Sequence, residues 1–305
     1  MNDTEAPQPS RLAVLLPFAI VTLIWGSTWI VIRDQLGTVP PSWSVSYRFL
    51  IAGIGMLAYA AWRGERIVLD ARGWAFAGAL AVLQFCLNFN FVYRAEDHIT
   101  SGLVAVVFAL LLVPNAILGR IFLGTQLGPR LLVGSGVAMA GVALLFVHEA
   151  RVDPNGPAES MIGIGITMMG VLAASIANVL QGTQTARRYP MVPMLGVAML
   201  IGAGVDAMIA WTLHGPPVIE WRAGYLFGLL YLGVFASAIA FTLYFGVLRI
   251  IGPAKAAYSS VIVPVIAMLL STLFEGYRWS PLAAGGAVLA MMGLVIALSA
   301  SKPAR

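Results

Sequence analysis

Gln84 and Asn88 stand four residues apart in the middle of the apolar run 74–93, which puts both on one face if that run is helical. A carboxamide is donor and acceptor at once and carries no charge. A pair of them can hold the amino and carboxylate groups of a zwitterion, while apolar and aromatic walls take its side chain. Similar groups interrupt other apolar runs. They are Trp25, Ser27 and Thr28 in the step Trp25-Gly26-Ser27-Thr28-Trp29, Tyr93, the trio Ser175, Asn178 and Gln181, and Tyr231, Ser237, Tyr244, Tyr258, Ser259 and Ser260. The patterns of covalent and metal chemistry do not occur: there is no HExxH, no Cys/His ligand spacing, no phosphate loop and no GxSxG. His98, His148 and His214 fall in or beside joints between runs and read as solvated loop residues, and the lone Cys86 reads as a small packing residue. The pattern therefore describes a chain that binds a small solute, with no enzyme activity, no cofactor and no metal.

The elements that must position these groups follow from composition. Hydrophobic residues make up 60% of the chain and charged ones 10%, where a soluble domain carries about 25% charged residues. Mean hydropathy is +0.89, so the principal partner is the lipid bilayer. A span needs about 20 apolar residues to cross ~30 Å of hydrocarbon. By that ruler ten runs qualify: 13–32, 44–62, 74–93, 100–123, 131–147, 161–182, 191–213, 224–248, 254–274 and 282–299. The first is too long, and its flank too acidic at Asp3 and Glu5, for a cleaved signal peptide. A net charge of +5 reflects topology and not a nucleic-acid partner. Twelve Lys/Arg fall in joints on the side of the amino terminus and five on the other, with Arg48 inside a run. The positive-inside rule then makes both termini cytoplasmic.

Displacing the chain on itself by 152 positions brings Gly124, Pro129, Gly134 and Gly141 onto Gly276, Pro281, Gly286 and Gly293, and Phe89 onto Phe241. Residues 1–152 and 153–305 thus read as two five-span halves. An odd number of spans inserts the second half upside down relative to the first, and inverted repeats place a solute site near the bilayer midplane between them. The expected fold is all-α: ten transmembrane helices, as two inverted five-helix repeats around a central cavity.

Several motifs carry a resemblance. The Trp25-Gly26-Ser27 step, Arg48 in "YRFLIAG" and the run "VPNAILGRIFLG…GSGVAMAGV" resemble the drug/metabolite transporter superfamily, and within it the EamA-type ten-helix exporters. The likeness covers nearly the whole chain and is strongest to bacterial exporters of aromatic amino acids. It implies a bacterial-type inner-membrane location and export of neutral or aromatic amino acids, or similar small metabolites, by alternating access, as a monomer or weak homodimer. Two departures stand out: the counterpart of Pro264 is Leu112, with Pro114 two residues on, and the usual acid after Gly124 and Gly276 is replaced by Thr125 and Tyr277. The substrate-binding candidates are Gln84, Asn88, Trp25, Ser27, Thr28, Tyr93, Asn178, Gln181, Ser237, Tyr244 and Tyr258. Arg48 reads as a cap or a residue snorkelling to the membrane face, and Asp206, flanked by Gly202, Gly204 and Ala207, as part of a close helix contact. These two readings leave the cavity uncharged. The alternative, a proton-coupled drug carrier or a sugar-phosphate or nucleotide-type carrier, needs one of those two charges in the path.

Overall fold

The structure is a computed structural model that describes residues 11–65, 68–126, 128–152, 157–251 and 259–299. All regular structure among them is helical. We label the long helices α1 (Arg11–Asp34), α2 (Pro41–Trp62), α3 (Ala71–Ala95), α4 (Ser101–Leu123), α5 (Pro129–Val152), α6 (Pro157–Gln181), α7 (Met191–His214), α8 (223–251), α9 (Ser259–Phe274) and α10 (Pro281–Leu298). Seven among the described residues (α1–α4 and α6–α8) are long and apolar enough to cross a membrane, and three shorter apolar stretches lie in α5, α9 and α10. Hydrocarbon offers backbone groups no water, so a spanning segment must satisfy them internally, as a helix does.

Local sequence sets the helix ends. Asp70 caps α3 by accepting from Gly73 N at 2.8 Å, and Ser280 caps α10 by accepting from Ala283 N at 3.0 Å. Proline opens α2 and α10, where its missing N–H costs nothing. Gly124 and Gly276 follow α4 and α9 with φ of 69° and 68°, the left-handed conformation that a side chain disfavours. Each lets the next amide reach back to the carbonyl six residues earlier: Thr125 N to Gly119 O and Tyr277 N to Ser271 O, both at 3.3 Å.

Three helices are not α-helical throughout. α3 is a π-helix over Ala81–Leu87, and α8 is one over Tyr231–Ile239. The Ser237 hydroxyl donates to Leu232 O, five residues back, at 2.8 Å. In α4 a 3-10 turn at Ala109–Leu111 precedes Pro114, whose ring crowds the carbonyl of residue 110. Gln84 belongs to the π segment of α3 and Asn88 to the first α-helical residue after it.

Small residues let helices meet backbone to backbone. A Cβ on Gly134 would lie 2.5 Å from Gly293 O, and one on Gly286 would lie 2.8 Å from Gly141 O. Positions 134 and 286, like 141 and 293, are 152 apart, so the α5–α10 contact repeats with its helices exchanged. A similar exchange occurs between α2 and α7 at a spacing of 150. The Ser46 hydroxyl donates to Ala203 O at 2.8 Å, and a Cβ on Gly53 would lie 3.0 Å from Gly196 O.

His148 corrects the sequence reading. It is buried at the end of α5, 2.9 Å from the Ser280 hydroxyl and edge-on to Tyr277, because the α9–α10 connection folds over it. The α5–α10 seam gives a direct test. A Cβ on Gly134 would stand 2.2 Å from the backbone nitrogen of Ala297, whereas one on Gly136 meets nothing within 4 Å. Gly134→Ala is expected to cost about 1–3 kcal/mol through overpacking, and Gly136→Ala to stay within about 0.5 kcal/mol. Thermal unfolding in detergent measures both, and equal midpoints for the two variants would contradict the contact.

Candidate functional site

A cavity of about 140 Å³ lies among seven of the helices. Its wall is built by Trp25, Thr28, Trp29 and Ile32 of α1, Arg48 of α2, Gln84, Asn88, Phe89 and Val92 of α3, and Phe108 and its neighbours of α4. Asn178 of α6, Phe241, Tyr244 and Phe245 of α8, and Val263 and Pro264 of α9 complete it. Helices α5, α7 and α10 contribute none of these residues. A larger groove of about 700 Å³ runs along α9 and α10, but its lining is almost wholly apolar and includes the exposed Val265, Leu269 and Val288. That is a surface suited to lipid.

Aromatic packing shapes the cavity. The Trp25 ring lies 4.8 Å from Tyr244 and 5.5 Å from Phe241, centroid to centroid, and its Nε1 donates to Ala236 O at 3.2 Å. Trp29 packs on Phe108 at 5.6 Å, and Phe49 sits between Phe85 at 5.0 Å and Phe89 at 4.9 Å. Such pairs hold their geometry by quadrupole contact as well as burial. The small residue Gly26 lets α1 approach α9, since a Cβ there would fall 2.7 Å from Ile266.

Arg48 is the main departure from the sequence reading. It is 1% exposed and sits two turns inside α2, neither capping nor snorkelling. Its Nε donates to the Ser237 hydroxyl at 2.9 Å, and its Cζ lies 4.3 Å from the Phe89 ring centre and 5.4 Å from that of Phe49. A guanidinium keeps its proton, so the wall of the cavity is charged, contrary to the uncharged site expected. Three buried polar atoms on lining residues have no hydrogen-bond partner: Arg48 Nη1, Trp29 Nε1 and Asn88 Oδ1.

Of the sequence-derived candidates, Gln84, Asn88, Trp25, Thr28, Asn178 and Tyr244 come together in this wall. Four others do not line it. Ser27 bonds the Tyr231 hydroxyl at 2.7 Å; Tyr93 is buried and donates to Gln35 Oε1 at 2.9 Å; Ser237 holds Arg48; Gln181 ends α6 beyond the cavity. Their polarity is satisfied by protein or lies away from the site. Tyr258 lies outside the described residues. The sequence reading missed Phe89 and Phe241, although their superposition in the 152-residue register was the available signal. Asp206 is buried away from the cavity, in a chain where Ser42 donates to Asn90 Oδ1 at 2.6 Å and Asn90 Nδ2 donates to Asp206 Oδ1 at 2.7 Å.

A polar cluster adjoins the cavity one residue beyond Ile32 and one turn beyond Val92. Arg33 Nη1 donates to the backbone carbonyl of Glu96, and Arg33 Nε lies 3.7 Å from Glu275 Oε1. Glu275 Oε2 accepts from the Ser101 hydroxyl at 2.7 Å, which ties α9 to the start of α4. Burial holds the Glu96 carboxyl well above the ordinary carboxylate range; Glu275 reinforces that shift, and Arg33 opposes it.

With the geometry described, comparison with known proteins gives the class. The profile of the EamA-like transporter family, within the drug/metabolite transporter superfamily, matches residues 12–147 and again 161–299. The chain belongs to the EamA-like transporter family; it is a membrane transporter and not an enzyme. It is 30% identical over 274 residues to the uncharacterized inner membrane transporter YedA of Escherichia coli K12, covering 87% of this chain and 85% of YedA. Protein PagO of Salmonella typhimurium LT2 is 23% identical over 273 residues, covering 88% of each chain. A solved crystal structure at 22% identity shares the fold, with a TM-score of 0.69 over 96% of this chain and 100% of that one.

The Glu96 cluster carries a pH prediction. The folded-state carboxyl is raised above its unfolded value, so the buried arrangement goes with the protonated form. Its stability is complete below the ordinary carboxylate range and falls as pH rises toward the raised value. The charged groups acting on Glu96 are Glu275, Arg33, Asp97 and Arg48. Amide exchange over residues 96–101, corrected for intrinsic rates, is expected to accelerate with rising pH in the wild type and to lose that dependence in Glu96→Gln. A pH-independent wild type would contradict the assignment.

Proposed function

We propose that the protein exports neutral or aromatic amino acids, or closely similar small metabolites, across a bacterial-type inner membrane by alternating access. The observation that carries this reading is the composition of the cavity wall. Gln84, Asn88 and Asn178 supply amides, and Trp25, Phe89, Phe241 and Tyr244 supply an aromatic surface. Amides suit the two ends of a zwitterion, and the rings suit its side chain. Ligand pockets usually measure about 300–1,000 Å³, so at about 140 Å³ the cavity holds a small solute and must widen for an aromatic one. A widening cavity accords with a cycle in which the helices around it move.

The same reading takes residues 1–152 and 153–305 as two inverted five-helix repeats, giving ten transmembrane helices with both termini cytoplasmic. Several features support it. The family profile matches twice in tandem. The third long helix of each half is π-helical, from 81 and from 231. The α5–α10 and α2–α7 contacts recur with their helices exchanged, as an internal two-fold requires.

Proteoliposome flux of labelled L-phenylalanine tests the reading. Gln84→Ala and Asn88→Ala are each expected to lower flux at least fivefold at unchanged protein level, and Trp25→Ala to raise the half-saturation concentration. No flux of any amino acid would remove the substrate class, and unchanged flux in all three variants would remove the site.

The rival reading of a proton-coupled drug carrier places its essential charge at Asp206. That carboxylate lies off the cavity wall, bonded to Asn90. Asp206→Asn is therefore expected to keep flux within about twofold of the wild type, and its dependence on a proton gradient unchanged; abolished flux would favour the rival.

A further inference from the structure

We propose that Arg48 is the carboxylate anchor of the cavity, so that the transported solute must carry a carboxylate or an equally compact monoanion. This rests on the amino-acid reading and deepens it, because it divides the solute's two charged ends between different residues.

Four observations carry the assignment. Arg48 is 1% exposed and lines the cavity, so its charge faces neither water nor lipid headgroups. No carboxylate lies within ion-pair distance of it among the described residues, and Glu96 acts on it only at longer range, although the structure holds other ion pairs, all near helix ends. A cation kept in the membrane interior without a paired acid marks a functional position. Next, the guanidinium is fixed before any solute arrives. Ser237 commits its proton to Leu232 O at 2.8 Å and presents its lone pair to Arg48 Nε at 2.9 Å, while Phe89 lies 4.3 Å from Cζ. Finally, Nη1 has no hydrogen-bond partner, although the Tyr93 side chain also acts on the guanidinium.

The anion class follows from chemistry. A planar guanidinium edge matches the two oxygens of a carboxylate. One cation in a cavity of about 140 Å³ neutralises a single charge, too little for a phosphate dianion or a nucleotide. Trp29 Nε1 is a second unpartnered donor on the wall, at 8% exposure. Asn88 Oδ1, at 3% exposure, is the unpartnered acceptor, and it sits one residue from Phe89, whose ring lies against Arg48. A carboxylate thus goes to Arg48, and an ammonium goes to Asn88 and the neighbouring ring faces. The cavity recognises both ends of an α-amino acid with unlike groups.

Titration calorimetry on the purified full-length protein tests this with three probes: L-phenylalanine, 3-phenylpropionate, which lacks the amine, and phenethylamine, which lacks the carboxylate. The wild type is expected to bind phenethylamine at least tenfold more weakly than L-phenylalanine, with 3-phenylpropionate in between. In Arg48→Gln that discrimination is expected to fall below threefold. The wild-type series stands alone if the variant does not fold. Equal binding of phenethylamine and L-phenylalanine overturns the anchor while leaving an amino-acid cavity in place. Binding of 3-phenylpropionate without any amino acid supports the anchor and removes the amino-acid reading. Failure of both carboxylates to bind overturns the anchor.

Discussion

Inside a bilayer no water is at hand to hydrogen-bond a polar atom, so each one must find its partner in the protein or in a solute. Most of this structure answers to that constraint. The Ser46 hydroxyl reaches Ala203 O, Trp25 reaches Ala236 O, and Tyr93 reaches Gln35. Asp206, the one acid of α7, is tied through Asn90 to Ser42, a chain that joins α2, α3 and α7. Such bonds are worth about 0.6–2 kcal/mol each in a membrane, and they hold helices that have no hydrophobic drive to associate. Against that background the atoms left over become informative. On the cavity wall they are Arg48 Nη1, Trp29 Nε1 and Asn88 Oδ1.

Backbone irregularity serves the same site. The π segment of α3 carries Gln84, that of α8 ends two residues before Phe241, and π-bulges often occur at functional sites. In α8 the π segment carries Ser237, which orients Arg48, and Ala236, whose carbonyl receives Trp25. One irregular stretch therefore fixes both the cation and an aromatic wall. Two of the helices that add nothing to the wall, α5 and α10, instead meet through glycines at backbone distance, a close seam away from the cavity.

How much of this could be read in the sequence depends on what each signal reports. Helix ends were legible because Gly124, Gly276, Pro129 and Pro281 act locally. Gln84, Asn88 and Asn178 stood out as amides in apolar runs, yet so did Tyr93 and Ser237, whose partners are other residues. Polarity within a span cannot tell a partner in the protein from a partner in a solute. Arg48 was misread because it lies near the start of an apolar run; the helix begins at Pro41, and packing against Phe49, Phe89 and Ser237 buries the side chain. Nor was the π geometry visible, since no residue type demands it. Phe89 and Phe241 were visible only as one apolar identity of the internal repeat, a class of match that composition inflates.

In the proposed cycle the cavity bounded by Trp25, Arg48 and Asn88 is the solute path and opens to either side in turn. Thr28 lines it, buried, so a single cysteine placed there reports access. In a Thr28→Cys, Cys86→Ser background, a membrane-impermeant maleimide applied to right-side-out and then to inside-out vesicles should label the protein from both faces. L-phenylalanine should slow the labelling in each case. Labelling from one face alone with and without the amino acid, or from neither, would contradict the account.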